Sequence, residues 1–212
     1  MGHKTFPPII FPGAQPVPKI VDHDQRRLEL VDATWRIIAR LGMEGATMRE
    51  IAEEAGFANG ALKPYFPTKD LLLTSAFGHV FNRTNQRIAT MTDGLSGVAA
   101  LRAFCAEVLP LDEERVNEAR IVIPFWQKAL NDADMAALHS ESMSQWHTTI
   151  TAHCAAARAA GEIATPIGDA AVADHLLNMM LGAQIVAALS PDEHFSQDLE
   201  GQLDNYLALL AA

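Results

Sequence analysis

The stretch TMREIAEEAGFANGALKPYFPTK, residues 47–69, decides the fold, because it reads as two short helices around a glycine turn. Thr47 can cap a helix while Glu50, three residues on, reaches back to the cap's own N–H, the pairing of a capping box. Ile51 and Ala55 fall one turn apart on one face, and Gly56 follows where a left-handed residue ends a helix. After a turn over Gly56, Phe57 and Ala58, Leu62 and Phe66 again sit four apart, so a second short helix can pack its apolar side on the first. Short helix, glycine turn and short helix match the helix-turn-helix unit that reads DNA.

The solvent side of the second helix offers Asn59, Gly60, Ala61, Lys63 and Tyr65. Small residues at its start allow close approach to a groove. Lys63 can meet a phosphate or a guanine edge, Asn59 can hydrogen-bond a base, and Tyr65 can bond the backbone. Lys69 is a cation in the first turn of the next helix, where it opposes the macrodipole, and an anion bound there resolves the conflict. Together with Thr47, Arg49 and Ala58, these residues are the expected DNA contacts.

These residues resemble the N-terminal domain of TetR-family transcriptional regulators. Ile51, Ala52, Ala55, Gly56, Gly60, Leu62, Tyr65, Phe66 and Lys69 stand at matching positions, and the likeness covers about residues 24–90. Lys63 replaces the usual tyrosine, and Pro64 sits inside the second helix, where it lacks the N–H that would bond the Gly60 carbonyl.

The chain has 212 residues, 49% of them hydrophobic, enough for one large or two small cores. Its formal charge of −10 opposes DNA binding until it is divided at Thr92: residues 1–92 hold 11 Lys and Arg against 9 Asp and Glu, and the remainder holds 5 against 17. The acid lies outside the helix-turn-helix part, where it keeps the wrong face from DNA. Cys105 and Cys154 lie 49 positions apart, matching neither a zinc spacing nor a disulfide framework, so a reducing cytoplasm is expected. No run approaches eighteen uninterrupted apolar residues and no secretion signal opens the sequence, so no membrane partner is expected.

Residues 1–21 carry five prolines and read as an extended arm. Residues 22–70 form the expected DNA-binding domain, with helix one burying Leu28, Val31, Trp35 and Ile38, and a connecting helix runs on to residue 92. Residues 93–212 show helical spacing broken by turn signals, which predicts five further helices. The longest, about 134–160, places Met143, Trp146, Ile150, Cys154 and Ala157 on one stripe. The expected fold is all-α, with about nine helices: a three-helix DNA-binding domain, then a helical ligand-binding and dimerisation domain.

The segment from Ala170 to Leu189 is apolar on nearly every side, which implies burial against both its own core and a second copy of the chain. With the final helix (Phe195, Leu199, Leu203, Tyr206, Leu210) it would form a four-helix dimer interface, to which Leu176, Met180, Ala183, Ala187, Leu199, Leu203 and Leu210 are assigned. A homodimer places two reading heads on successive major grooves of a palindrome.

This second part resembles a choline-regulator type of C-terminal domain through LPLDEER, residues 109–115, and Phe125-Trp126. The resemblance implies a small-molecule pocket, for which Phe104, Val108, Ile123, Trp126, Met143, Trp146, His147 and Ile150 are the candidate lining. Pro124 would kink its helix and open space there. Trp126 and Trp146 permit a cation–π site, and a neutral hydrophobic effector fits equally. His139, His147, His153, His175 and Cys154 show neither metal-ligand spacing nor a catalytic motif, so no metal, cofactor or enzyme activity is expected. The function expected is a ligand-responsive repressor acting on an operator; the alternative is a helical small-molecule carrier or sensor that no longer binds DNA.

Overall fold

Caps and turns legible in the sequence set the helix boundaries in a computed structural model of the protein, which describes residues 23–58, 60–189 and 193–211. Eight α-helices follow in order: α1 (His23–Gly45), α2 (Met48–Glu54), α3 (Lys69–Thr92), α4 (Gly97–Val108), α5 (Glu113–Ala129), α6 (Ala133–Ala159), α7 (Asp169–Leu189) and α8 (Glu193–Leu210). Residues 60–65 add a ninth helical segment built of turns, and no strand forms among the described residues. The all-α expectation holds. The proline-rich arm and Asn59 lie outside the described residues, as does the side chain of Phe195.

Aspartate and threonine caps start the helices. Thr68 accepts from the Leu71 amide ahead of α3, Asp112 from the Arg115 amide ahead of α5, and Asp132 from the Asp134 and Met135 amides ahead of α6. Each such bond satisfies a donor that the helix itself leaves open. At α4 the cap comes from far along the chain: Glu162 accepts from the Val98 amide at 2.8 Å.

Two apolar clusters divide the molecule. The first joins α1, α2, the turn segment and the first half of α3 through Leu30, Ile37, Ile51, Leu62, Phe66, Leu72 and Phe77, and it also takes in Ile121, Val122 and Phe125 from α5. The second joins α4, α6, α7 and α8 through Leu101, Phe104, Ile150, Cys154, Leu176, Met180 and Leu203, with Ile88 from the far end of α3. The charge boundary near Thr92 is therefore not a packing boundary, because α3 enters both clusters and α5 belongs with the first.

Helix α1 differs from its expected stripe. Leu28 is exposed and Trp35 is half-buried beneath the Arg83 guanidinium, 4.6 Å from the ring centroid, while Leu30, Val31, Thr34, Ile37 and Ile38 are buried. Thr34 is the reason: its hydroxyl donates to the Leu30 carbonyl at 2.7 Å, so a polar residue enters the core with its donor satisfied. In α6 the expected stripe holds, with Trp146, Ile150, Cys154 and Ala157 buried and Met143 packed beside them.

Candidate nucleic-acid interface and buried cavity

The reading unit is built on two local devices. The Thr47 hydroxyl accepts from the Glu50 amide at 3.2 Å, and the Glu50 carboxylate accepts from the Thr47 amide at 3.2 Å and from its hydroxyl at 2.6 Å, completing the capping box. These bonds hold the Glu50 carboxyl below the usual carboxylate range. At the other end of α2, Gly56 adopts φ +72°, its amide donates to the Glu53 carbonyl at 3.0 Å, and the Phe57 amide donates to the Ala52 carbonyl at 2.8 Å. That bond pair is a Schellman motif, and it turns the chain toward the reading segment.

The reading segment is not a regular helix. The Ala61 amide donates to Ala58, Lys63 to Gly60 at 3.4 Å, and Tyr65 to Leu62 at 2.9 Å, all three-residue turns, and among the described residues of the segment only the Phe66 amide reaches back four residues, to Leu62. Two residues account for this: Gly60 adopts φ +89°, outside the helical region, and Pro64 denies the Gly60 carbonyl its α-helical donor, so that carbonyl takes the Lys63 amide over a long bond. Leu62 and Phe66 are buried and anchor the segment, each side chain stabilising it by about 1.5–3 kcal/mol.

Among the expected DNA contacts, Arg49, Ala58, Gly60 and Lys63 are exposed, and Lys63 has no ion-pair partner among the described residues. Ala61 is half-buried. The Thr47 hydroxyl is engaged in the capping box, so a phosphate must compete with Glu50 for its proton. Tyr65 is half-buried and meets Phe57 edge-on, with centroids 5.9 Å apart. Lys69 begins α3 and lies beside Ile51, Leu72 and Leu73, so its stem packs on the core. Arg36 and Arg40 of α1 both bond Glu54 of α2, at 2.8 and 3.1 Å, and fix the two helices relative to each other.

A cavity of about 30 Å³ lies at the seam between the two apolar clusters. Phe77, Val80, Phe81 and Thr84 of α3 form one wall, Arg115, Glu118, Ala119, Val122 and Trp126 of α5 a second, and Met143, Trp146, Leu181 and Gln184 of α6 and α7 the third, with Val108 closing the α4 end. Of the eight lining residues expected from sequence, Val108, Trp126, Met143 and Trp146 are here. The others are placed elsewhere for identifiable reasons. Phe104 and Ile150 are fully buried core. Ile123 faces a separate surface groove of about 390 Å³ with Ile38, Gly42, Pro124, Ile185 and Leu189. His147 points to α7, 3.3 Å from both the Ala170 carbonyl and Asp174. Pro124 thus lines a groove, but not the cavity between the clusters.

Sequence reasoning missed Phe77, Phe81, Arg115, Glu118 and Gln184. Gln184 had a legible signal, the one polar side chain in the otherwise apolar run of residues 179–189. Its Nε2 donates to the Val108 carbonyl at 3.1 Å, which fixes Oε1 toward the other side. Beside the cavity, Arg87 of α3 holds Glu118 with two bonds of 2.8 Å and Glu107 of α4 with one of 3.0 Å, and Arg115 adds a bond of 2.8 Å to Glu107. Further ion pairs, Lys128 with Asp70 and Arg83 with Glu114, bind α3 to α5 along its length.

The seven residues assigned to a dimer interface require a correction. Leu176, Met180, Ala183, Ala187, Leu199, Leu203 and Leu210 are all buried within a single chain, and all but Ala187 belong to the second cluster, so they pack its core and not a surface. Among the described residues, the large apolar side chains left exposed on these helices are Ile185, Val186 and Leu189 of α7 and Leu209 of α8. Helix α7 is long and apolar enough to cross a membrane by length and composition alone, but its inner face is packed core. Burial raises the Cys105 and Cys154 thiols to about 12 and about 11, leaving both protonated and unreactive.

The comparisons with known proteins agree with this geometry. A profile described as bacterial regulatory proteins, tetR family, matches residues 30–76, and one described as BetI-type transcriptional repressor, C-terminal, matches residues 97–212. The HTH-type transcriptional regulator PksA of Bacillus subtilis is 39% identical over 121 residues, which span 56% of this chain but only 58% of that relative. The HTH-type transcriptional regulator BetI of Burkholderia ambifaria is 30% identical over 146 residues, 66% of this chain and 74% of its own length. A transcriptional regulator from Rhodococcus sp. Rha1 superposes with a TM-score of 0.76 at 28% identity, over 87% of this chain and 95% of that one. Another, from Saccharomonospora viridis in complex with choline, gives 0.80 at 18% identity over 87% and 96%, which shows a shared fold.

Proposed function

Because the chain belongs to the TetR family of bacterial regulatory proteins, we propose that it is a cytoplasmic, ligand-responsive repressor that binds a palindromic operator as a homodimer and is released by a small-molecule effector. The observation that carries this reading is the position of the cavity. It lies where the cluster containing the reading unit meets the cluster containing α7 and α8, and the same helix, α3, runs from the reading segment into the cavity wall. At about 30 Å³ the cavity holds little more than a water-sized volume, so an effector must part its walls. Parting them moves the reading unit against the α7–α8 framework. An effector shifts operator affinity only by the difference in its own affinity for the two arrangements.

The dimer assignment rests on Ile185, Val186, Leu189 and Leu209, apolar side chains that a second copy would cover. Two reading heads then lie about 34–36 Å apart, one helical turn of DNA. On the reading surface, Arg49, Asn59, Lys63, Tyr65 and Lys69 are the proposed contacts, with Ala58, Gly60 and Ala61 allowing close approach. The turn-built segment around Pro64 gives specific support to one alternative, a helical carrier that no longer reads DNA.

The test is selection of bound duplexes from a genomic fragment pool, with and without metabolite extract. A palindromic consensus that is lost in the presence of extract supports the proposal. Failure to enrich any duplex at low salt, from a protein that still binds a component of the extract, favours the carrier. A monomer by light scattering at micromolar concentration would sink the dimer.

A further inference from the structure

Four buried side-chain atoms have no hydrogen-bond partner among the described residues, and three of them belong to residues that line the cavity between the clusters: Arg115 Nε, Trp126 Nε1 and Gln184 Oε1. Leaving a buried donor or acceptor unpaired costs about 1–3 kcal/mol each, so three such atoms around one small space are not explained by folding. Two are donors and one is an acceptor. The Gln184 orientation is not arbitrary, because its Nε2 faces the Val108 carbonyl, which can only accept.

The charges around the cavity are already paired. Both oxygens of Glu118 accept from Arg87, and Glu107 accepts from Arg87 and Arg115, so two guanidinium groups meet two buried carboxylates. An ammonium ligand finds no open carboxylate here, leaves both orphan N–H groups unpaired, and brings a third cation beside Arg115. A carboxylate ligand finds no unpaired cation. Most of the aromatic rings are also engaged: Phe77 stacks on Phe125 with centroids 3.9 Å apart, Phe81 lies 5.1 Å from Trp146, the Trp146 N–H donates to Asn85 at 2.8 Å, and Trp126 meets His139 in an edge arrangement with centroids 5.9 Å apart. A cation–π cage needs open faces.

We propose that this cavity takes an uncharged, oxygen-bearing molecule with an apolar body, whose carbonyl or ether oxygens accept from Trp126 and Arg115 and whose hydroxyl or N–H donates to Gln184. The inference rests on the effector reading above and selects one ligand class within it: a hydroxyketone, hydroxyester or comparable neutral amphiphile, in place of a quaternary ammonium.

The experiment uses the full chain and a set of probes that vary the spacing of donor and acceptor: acetoin, 4-hydroxy-2-butanone and 4-hydroxyacetophenone, against choline and phenyltrimethylammonium. Binding is read by calorimetry and by the change in Tm, for the parent, Trp126→Phe and Gln184→Leu. At least one oxygen-bearing probe is expected to bind more tightly than either ammonium ion, and each variant is expected to weaken it about tenfold, the loss of one hydrogen bond. Ligand-free Trp126→Phe should melt close to the parent, because it removes an unpaired buried N–H, whereas Gln184→Leu also loses the bond to the Val108 carbonyl and should melt somewhat lower. The Trp126→Phe result separates a ligand-binding role from a structural one, which would lower its ligand-free Tm.

Preferential binding of an ammonium ion, unchanged in the two variants, would overturn the inference. So would binding by none of the five probes. The effector reading itself is judged separately, by whether metabolite extract releases the parent protein from its selected duplex, and it survives either result.

Discussion

Removal of the Arg87 guanidinium should destabilise the protein in a strongly pH-dependent way. Arg87 donates twice to Glu118 and once to Glu107, whose side chains are only 7% and 8% exposed. Arg87→Met keeps most of the stem volume and strands Glu118 without a partner, while Glu107 retains its bond to Arg115 at 2.8 Å. Breaking a buried pair costs about 3–5 kcal/mol, and because Arg87 is itself 25% exposed and one carboxylate stays paired, the low end applies, about 3 kcal/mol at pH 8. For a chain of this size that is a fall in Tm of roughly 6–12 °C.

The sign of the pH dependence follows from the stranded carboxylate. In the variant its folded-state pKa rises above the unfolded value of about 4.3, so the folded protein binds more protons than the unfolded chain between those two values. Stability of the variant is therefore recovered as pH falls through the raised pKa, and its deficit against the parent narrows from pH 8 to pH 5. Urea melts of parent and variant at pH 8, 6.5 and 5 measure the deficit. Adding Glu118→Leu should restore most of the loss at pH 8, since a buried pair replaced by apolar groups is often neutral. An equal deficit at all three pH values, or a double variant as unstable as the single one, would refute the reasoning.

Gly56→Ala forces a side chain into φ +72°, which costs about 1–2 kcal/mol, and a denaturation midpoint within error of the parent would contradict the Schellman turn described above. Lys63→Ala should weaken duplex binding for all sequences alike and lower the slope of log affinity against log salt by about 0.9 if Lys63 meets one phosphate; an unchanged slope would remove it from the interface. Burial holds the His139 and His153 imidazoles below their ordinary pKa, so both fold neutral, and their contribution to stability declines as pH falls through about 6.5 toward the lowered values. His139→Leu should flatten the loss of Tm between pH 7.5 and 5.5, with His153 keeping a remainder, and an unaltered profile would exclude His139 as a source.

The elements whose signals are local were legible in the sequence, and the placements that depend on other helices were not. Thr47, Glu50 and Gly56 act within ten residues of one another, so the capping box and the turn could be read directly. Pro64 was legible as a missing donor, but its outcome, a ladder of three-residue turns, depends on Leu62 and Phe66 being held by α1 and α3. The dimer residues went wrong because the second half of α7 is apolar all round, with no periodicity to tell the face against α5 and α6 from the face left open. The same limit hid most of the cavity, of whose lining only Val108, Trp126, Met143 and Trp146 were expected. Phe77 and Phe81 read as connector core, and only the return of α5 across α3 makes them a wall.

Arg87 also explains why the cavity is nearly closed. Its bonds to Glu118 on α5 stay within the body that carries the reading unit, whereas its bond to Glu107 on α4 crosses to the other body. Lys128 with Asp70 and Arg83 with Glu114 likewise keep α3 and α5 together. Any opening that separated α3 from α5 would therefore break the Arg87–Glu118, Lys128–Asp70 and Arg83–Glu114 pairs, while one that moved the two helices as a unit against α4, α6 and α7 would loosen the Arg87 and Arg115 bonds to Glu107 and the bond of Trp146 to Asn85, and would leave the Gln184 bond to Val108 intact between α7 and α4. The second motion is the cheaper one. It is also the one that carries the reading segment along, because Leu62 and Phe66 are packed in the same cluster as Val122 and Phe125. Ion pairs that look like surface stabilisation thus select the direction in which the molecule can yield, and that direction links the cavity to the segment proposed to read DNA.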